Sequence, residues 1–277
     1  YTGSRQQVWN VNLRGPLLLT RALEPLLDAN ARVVMVTSAS VYGALADNAI
    51  PLPEDSPLRA VPEGIVADLL QMEALAGQAR TDGLDVVVVR PAALVGPGVD
   101  TIVTRHFAAP RLLVVKDTSP TWQFCHVDDL AGALVAVVHG LVSGDVTCAS
   151  DGYLTQQRIE DLSGIKPVEV TASFAYATAD RLHRAGLSPA PASELSYVMH
   201  PLVVSSATLR KAGWRPGYDN DACVRAILAD VIGDRTIAGR RIGRRDATVA
   251  TASAAGATVA VLGAAAFVRA ARRSRGR

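Results

Sequence analysis

The apolar run between Arg32 and Thr37 constrains the fold more than any other part of the chain. It is short, rich in valine, bounded by polar residues and followed by the hydroxyl side chains of Ser38 and Ser40. Such a run is typical of a strand buried on both faces of a parallel sheet. Ligands of open α/β sheets bind outside the carboxyl ends of the strands, so these hydroxyls are expected at a ligand crevice. The alternative is a strand end closed by turn hydroxyls.

The residues after this strand complete a strand–helix–strand unit. Glu63–Thr81 has a helical pattern, and Asp85–Arg90 is a second apolar strand that Pro91 closes. This order predicts a right-handed crossover in a parallel sheet. Upstream, Gln6–Asn30 carries apolar residues at helical spacing and predicts a long amphipathic helix. The chain is therefore expected to have an α/β fold.

Composition excludes several classes of protein. With 49% hydrophobic and 19% charged residues, the 277-residue chain is expected to be folded rather than disordered. Its three cysteines are scattered and lack ligand spacing, so no disulfide framework or metal site is predicted, and a reducing compartment fits. His126 precedes Asp128 and Asp129, but a packed histidine is a better interpretation than a metal ligand.

The C-terminal tail differs from the rest of the chain. Ala247–Val268 contains no charged residue, and arginines flank it at 240–245 and 269–277. A helix of this length spans roughly 33 Å, enough for a hydrocarbon core of about 30 Å. It predicts a C-terminal apolar helix that spans a membrane or lies on it; an alanine-rich soluble helix or a disordered tail is the alternative. Because aromatic residues are not interleaved with the arginines, no nucleic-acid partner is expected.

Five stretches, in order, resemble the extended short-chain dehydrogenase/reductase superfamily, and in particular its NAD-dependent epimerase/dehydratase family. They are Asn12–Gly15, Thr37–Gly43 (Thr-Ser-Ala-Ser-Val-Tyr-Gly), Arg90–Gly98 (Arg-Pro-Ala-Ala-Leu-Val-Gly-Pro-Gly), Phe124–Leu130 (Phe-Cys-His-Val-Asp-Asp-Leu) and Leu209–Pro216. The resemblance implies a Rossmann-type parallel sheet that binds NAD or NADP. It also implies that the first βαβ units and their glycine-rich phosphate loop precede this chain.

The resemblance further implies a division into domains. Residues 1–98 form the C-terminal part of the NAD(P)-binding domain, which about 122–150 rejoin. Residues 99–121 and 151–235 form a smaller mixed α/β substrate domain. Residues 236–277 form the basic-flanked tail, the candidate membrane anchor.

The site residues follow from matching the family's motifs to this chain. Ser38 matches the hydroxyl that orients the substrate and is the candidate catalytic residue. With Glu73 at the family's following glutamate, Ile65 and Leu69 stand where the family has its tyrosine and lysine; the other register gives Glu63 and Ala67. In either register the proton-carrying pair is lost. The remaining assignments are cofactor binding by Thr37, Ser38, Arg90, Pro91 and Ala92, and substrate binding by Ser40 and Tyr42. Arg90 is also open to a structural role, and Tyr42 to packing.

Two functions remain open at this point. The first is an NAD(P)-dependent oxidoreductase or epimerase with impaired or non-standard catalysis, acting on a small molecule such as a sugar nucleotide or an alcohol. The second is a catalytically silent nucleotide- or metabolite-binding protein with a regulatory or scaffolding role at the membrane. Either is expected to be cytoplasmic, on the cytoplasmic side of a membrane if the tail is an anchor, and homodimer formation is compatible with both.

Overall fold

The computed structural model describes residues 15–23, 26, 31–186, 188 and 190–238. The helices in these ranges are α1 (Gly15–Leu23), α2 (Gly64–Thr81), α3 (Ile102–Ala108), α4 (Val127–Val138), α5 (Gln156–Ser163), α6 (Ala172–Arg184), α7 (Ala207–Lys211) and α8 (Asn220–Ala238). The strands are β1 (Arg32–Val36), β2 (Asp85–Pro91), β3 (Ala93–Val95), β4 (Leu112–Val115), β5 (Thr121–Trp122), β6 (Phe124–His126), β7 (Asp145–Cys148), β8 (Leu154–Thr155) and β9 (Pro167–Val170). Short 3₁₀ helices cover Ala39–Tyr42 and Ala192–Val198.

A parallel sheet in the order β1-β2-β7 organises the first part of the fold. On one face of β2, Val88 packs in a cluster with Ala76 of α2. On the other face, Val89 packs in a cluster with Ala133 of α4. Because helices cover both faces, both sets of alternating side chains are buried, which explains the uninterrupted run of valines. The predicted α/β fold with a parallel sheet is confirmed.

A second apolar cluster fills the part of the fold built mainly from later elements. Its fully buried side chains include Phe107 of α3, Phe124 of β6 and Ile159 of α5. Three two-stranded sheets surround it: parallel β3-β6, parallel β4-β9 and antiparallel β5-β8. The pairing of β3 with β6 carries the chain from the carboxyl end of β2 into this second core. The domain boundaries given above stay a prediction.

Several predicted elements differ in detail from the observed ones. From the order of apolar residues we also predict a strand over Trp122–His126 and a helix over Leu154–Leu162. The stretch 122–126 is instead split into β5 and β6, and the side chain of the intervening Gln123 bonds to the backbone of Ser150 and Val204. The helix expected from Leu154 begins only at Gln156. Thr155 caps it by accepting a hydrogen bond from the Arg158 N–H, and the residues before the cap form β8.

The two ends of the chain fall partly or wholly outside the described residues. Of the helix expected over Gln6–Asn30, the described part is α1. The predicted apolar helix Ala247–Val268 lies outside the described residues. Within the described ranges, no helix is both long enough and apolar enough to cross a membrane.

Candidate functional site

A cavity of about 410 Å³ lies at the carboxyl ends of β1 and β2. Parallel strands end at the same edge of a sheet, and their last residues and the loops that follow make the floor. The start of α2, the start of α3 and the second 3₁₀ helix make the walls. Of the sequence-predicted site residues, those whose positions line the cavity are Thr37, Ser38, Ser40, Ile65, Leu69, Pro91 and Ala92.

Ser38 sits where β1 gives way to the first 3₁₀ helix. Its Oγ caps that helix by accepting a hydrogen bond from the Ser40 N–H at 3.1 Å. A hydroxyl both accepts and donates, so this cap leaves the Ser38 O–H as a donor for a ligand in the cavity. The two interpretations of Ser38, as a cap and as a substrate-orienting group, are therefore compatible. Its catalytic role stays a prediction.

Ile65 and Leu69 belong to the first turns of α2, one helical turn apart, and both face the cavity. They are only half-buried, and they present aliphatic carbon to the place where a phenol and an ammonium group would otherwise lie. Neither side chain is able to take up or release a proton. The match of these two positions to the family's catalytic pair stays a prediction, and the groups that the cavity has there carry no acid–base chemistry.

Arg90 is held below the site by ion pairs rather than in it. Its guanidinium donates to both carboxylate oxygens of Glu73, at 2.9 and 2.7 Å, and to Asp145 at 2.6 Å. Glu73 also accepts a hydrogen bond from the Thr37 hydroxyl at 2.6 Å. Burial alone would lower the pKa of Arg90, but the bonds and charge of Glu73 outweigh it and raise the pKa. The position of Arg90 favours a structural role over cofactor binding.

Tyr42, like Arg90, is not among the residues that line the cavity. Its ring is almost fully buried, and its hydroxyl donates to the Glu54 carbonyl at 2.7 Å while accepting from Arg90 at 2.9 Å. Burial raises the pKa of Tyr42, which further suits it to a fixed structural bond. The packing interpretation, rather than substrate binding, agrees with this position.

Glu194 is a titratable residue of the cavity to which the sequence did not point. It lies in the second 3₁₀ helix, far along the chain from Ile65, and is only 5% exposed. Burial raises its pKa to about 7, while the nearby charge of Arg105 acts in the opposite direction. A titratable group of this kind in a cleft is a candidate for function. No motif surrounds it in the sequence, so only the folded arrangement reveals it.

Gly64, the first residue of α2, makes room for this carboxyl. Its φ is +57°, and a Cβ added there would lie 2.7 Å from Glu194 Oε1 and 2.9 Å from the Pro191 ring. We therefore expect Gly64→Ala to lower the free energy of unfolding by about 1 to 2 kcal/mol, because the left-handed backbone disfavours a side chain. Urea unfolding provides the measurement.

The matched control for this variant lies on the same helix. Gly77→Ala adds the same methyl group where it meets nothing within 4 Å and where the backbone is helical. It should raise the free energy of unfolding by about 0.5 to 1 kcal/mol. Equal effects of the two substitutions would contradict the special role of Gly64.

The free energy of unfolding should depend on pH through the protonation of Glu194. Its pKa is about 7 in the folded protein against an ordinary value of 4.5, so the folded state holds the proton more tightly. Stability is then greatest below the lower value, falls as pH rises through this window, and stays reduced above it. In the wild type the free energy of unfolding should fall by up to roughly 3 kcal/mol across this pH window, and we expect Glu194→Gln to abolish that fall. Parallel stability curves for the wild type and the variant, measured in urea across the window, would refute this assignment.

The wall formed by residues 201–205 is held through its backbone. Leu52 accepts from Ser205 N at 2.9 Å and donates to Val203 O at 2.7 Å. The Gln123 amide bonds to both the N–H and the carbonyl of Val204. Leu202 projects from this segment into the cavity. The backbone of the segment 201–205 is therefore held in position by Leu52 and by Gln123.

Two other features concern metals and histidine. His126 stacks on Tyr218 with ring centroids 3.7 Å apart, and its Nδ1 accepts from the Asp128 N–H at 3.3 Å. The Asp129 carboxylate accepts from the backbone of Gly217 and Tyr218. These contacts are those of a packed histidine and a helix-terminal carboxylate. Over the described ranges, no cluster of three or more potential ligands is placed to hold a metal ion.

Comparison with solved structures establishes the fold. RMD from Pseudomonas aeruginosa, complexed with NADPH, is 22% identical, with a TM-score of 0.57 over 83% of this chain and 76% of that one. UDP-glucose 4-epimerase from Thermotoga maritima, solved with UDP-glucose, is 15% identical, with a TM-score of 0.59 over 83% of this chain and 72% of that one. At these identities the likeness concerns the fold.

Comparison with sequences establishes the family. An uncharacterized protein of Mycobacterium tuberculosis is 25% identical over 223 residues, and the match covers 78% of this chain and 58% of that protein. The chain thus spans little more than half the length of this relative. Residues 2–147 match the sequence model of the NAD dependent epimerase/dehydratase family. The match covers the β1-β2 unit, the loop that carries Ser38 and the part of α2 that carries Ile65 and Leu69. The family predicted from the sequence motifs is confirmed, and this chain belongs to the NAD dependent epimerase/dehydratase family.

Proposed function

We propose that this chain forms the nicotinamide- and substrate-facing part of an NAD(P)-binding protein of the oxidoreductase or epimerase type, with impaired or non-standard catalysis. The observation that carries the proposal is the cavity at the carboxyl ends of β1 and β2, with Ser38 on its floor. Family membership and the NADPH bound to a protein of the same fold support it. Because the curated relative is much longer, the proposal concerns the longest natural form that contains this chain.

The groups in the cavity suit one end of a dinucleotide. Ser38, Pro91 and Ala92 supply hydroxyl and backbone groups beside aliphatic carbon, which fits an uncharged nicotinamide ring. A pyrophosphate needs a glycine-rich turn at a helix N-terminus, which we expect in residues upstream of this chain. When bound, the cofactor supplies the acceptor or donor of a hydride.

Within this arrangement, Ser38 orients the oxygen of the substrate by donating its O–H, while its Oγ remains bonded to Ser40 N. No proton is carried at Ile65 or Leu69. The consequence is slow or unconventional turnover. The same two aliphatic residues favour the second candidate function, a silent protein that binds a nucleotide or metabolite and does not convert it.

A cofactor titration tests the proposal. NAD or NADP at 100 times its dissociation constant should stabilise the protein by about 2.7 kcal/mol, seen as a rise in Tm. ADP-ribose, which lacks the nicotinamide, is the matched control. At the same concentration as the dinucleotide it should raise Tm less, because Ser38, Pro91 and Ala92 are proposed to contact the nicotinamide ring that it lacks. If neither NAD nor NADP raises Tm at millimolar concentration, the proposed function is wrong.

We further propose that Ala247–Val268 attaches the protein to the cytoplasmic side of a membrane. The absence of charge over this length and the flanking arginines support the proposal. Deleting residues 246–277 should move the protein from the membrane fraction to the soluble fraction. The same distribution for the deletion variant and the intact protein would refute membrane attachment.

A further inference from the structure

The walls of the cavity are dominated by hydrocarbon. Its large apolar side chains come from α2, β3, α3, β5 and the segment 201–205: they are Ile65, Leu69, Leu94, Ile102, Trp122 and Leu202. A volume of about 410 Å³ suits a compact small molecule and lies at the lower end of the range for ligand sites. We propose that the substrate is an uncharged, mainly apolar alcohol or ketone rather than a sugar nucleotide. This inference rests on the proposed function and specifies its substrate.

The described lining of the cavity lacks the cations that a phosphate-bearing ligand needs. Asp100 and Glu194 line it, whereas no lysine, arginine or histidine of the described ranges does. Arg105 lies nearby, but its guanidinium forms a two-pronged ion pair with Asp100. A diphosphate would bring its negative charges into a cavity whose described lining supplies no cation to offset them. Burying an uncompensated charge is costly, so such a ligand is disfavoured.

The helix starts that face the cavity are also unsuited to phosphate. At α2, Oε1 of Glu194 lies so close to Gly64 that a carboxyl occupies the end where an anion would otherwise be attracted. At the short helix α3, Thr101 and Thr104 cap each other: each side chain accepts a hydrogen bond from the other's backbone N–H. Neither start offers an open cradle of N–H groups.

Few polar groups of the cavity remain for a ligand. The Gln123 amide bonds to the backbone of Ser150 and Val204, and the Tyr197 hydroxyl donates to the Ser40 carbonyl at 2.8 Å. The buried Thr121 hydroxyl, in contrast, has no hydrogen-bond partner within the described part of the chain. A buried hydroxyl without a partner is costly, and a ligand oxygen that reached it would satisfy it. The Ser38 O–H is a second donor, so the lining offers few polar groups and suits a ligand that is mainly apolar.

The protonation state of Glu194 favours a neutral ligand over a cationic one. An ammonium group would require a charged carboxylate beside it. Burial raises the pKa of Glu194 to about 7, so near neutral pH the protonated, uncharged form is well populated. In that form the carboxyl both donates and accepts hydrogen bonds, which matches a hydroxyl or a carbonyl oxygen.

Three probes test the inference on the longest natural form of the protein, with and without NAD or NADP. Menthol is an apolar secondary alcohol, menthylamine replaces its hydroxyl with an ammonium group, and UDP-glucose is a sugar nucleotide. Trp122 lines the cavity, so its fluorescence reports binding, and Trp122→Phe identifies its share of the signal. We expect menthol to bind at least about tenfold more tightly than either other probe, a difference of about 1.4 kcal/mol. Tighter binding of UDP-glucose or menthylamine would overturn the proposal.

A pair of variants locates the binding site. Leu202→Arg places a cation in the cavity and should weaken menthol binding at least about tenfold, whereas Leu202→Met keeps an apolar side chain and should bind menthol as the wild type does. Equal menthol affinity of folded Leu202→Arg and wild type would place the alcohol elsewhere and overturn the proposal. If Leu202→Arg does not fold, the order of affinities of the three probes in the wild type decides. The cofactor titration is a separate experiment. If menthol binds but neither NAD nor NADP raises Tm, the proposed function is rejected and the assignment of an apolar ligand to the cavity stands.

Discussion

Replacing Arg90 with methionine should lower the free energy of unfolding by about 3 to 5 kcal/mol, measured by urea unfolding near neutral pH. The side chains of Arg90 and Glu73 are 5% and 6% exposed, and two hydrogen bonds join them. Removing the guanidinium leaves a buried carboxylate that still accepts a hydrogen bond from the Thr37 hydroxyl but has lost its cation. The cost comes from that unpaired charge more than from the lost attraction.

Two comparisons separate this effect from a general intolerance of arginine loss. Arg59→Met breaks an exposed pair with Asp47, which water screens, and should leave the free energy of unfolding close to that of the wild type. Arg90→Met combined with Glu73→Gln should recover part of the loss, because the orphaned charge is removed with its partner. A double variant no more stable than Arg90→Met alone would show that the pair is not the source of the effect.

Restoring the lost pair with Ile65→Tyr and Leu69→Lys should raise turnover by about a hundredfold or more. A positioned acid–base group contributes on the order of 10² to 10⁴ in rate. Both positions face the cavity one helical turn apart, on the helix that also carries Glu73. The measurement is reduction of NAD or NADP by menthol, followed through the absorbance of the reduced nicotinamide, with UDP-glucose as the second substrate.

The control for this gain is a pair with similar bulk but without the chemistry. Ile65→Phe with Leu69→Met fills the same space and lacks both the phenol hydroxyl and the ammonium group. It should leave turnover at the wild-type level. If the tyrosine–lysine variant binds cofactor but turns over no faster than the phenylalanine–methionine variant, the cavity does not position this pair for catalysis.

Much of the sheet was predictable from local patterns. The apolar runs that became β1 and β2 are covered by helices on both faces, and burial on both faces is what makes such runs continuous. The hydroxyl cluster after β1 was expected at the ligand edge, and Ser38 lines the cavity there. These features depend on neighbours in the chain and on the general geometry of parallel sheets.

What could not be predicted depends on contacts between distant residues. Glu194 reaches the start of α2 only because the second 3₁₀ helix packs there, and no spacing in the sequence announces that contact. The sequence placed Arg90 at a strand end, where cofactor binding and a structural role were both open. The partners that favour the structural role are Glu73 on α2 and Asp145 on β7, which only the fold brings together.

The support of the segment 201–205 has a consequence for how this site changes during evolution. Leu52 and Gln123 hold that segment by bonds to its backbone, so the identity of its side chains contributes nothing to those bonds. Substitutions of Leu202 by other apolar residues therefore leave the hydrogen bonds that position this wall in place. A lineage, or a protein engineer, is able to alter the range of accepted molecules at this one position while the scaffold keeps its shape.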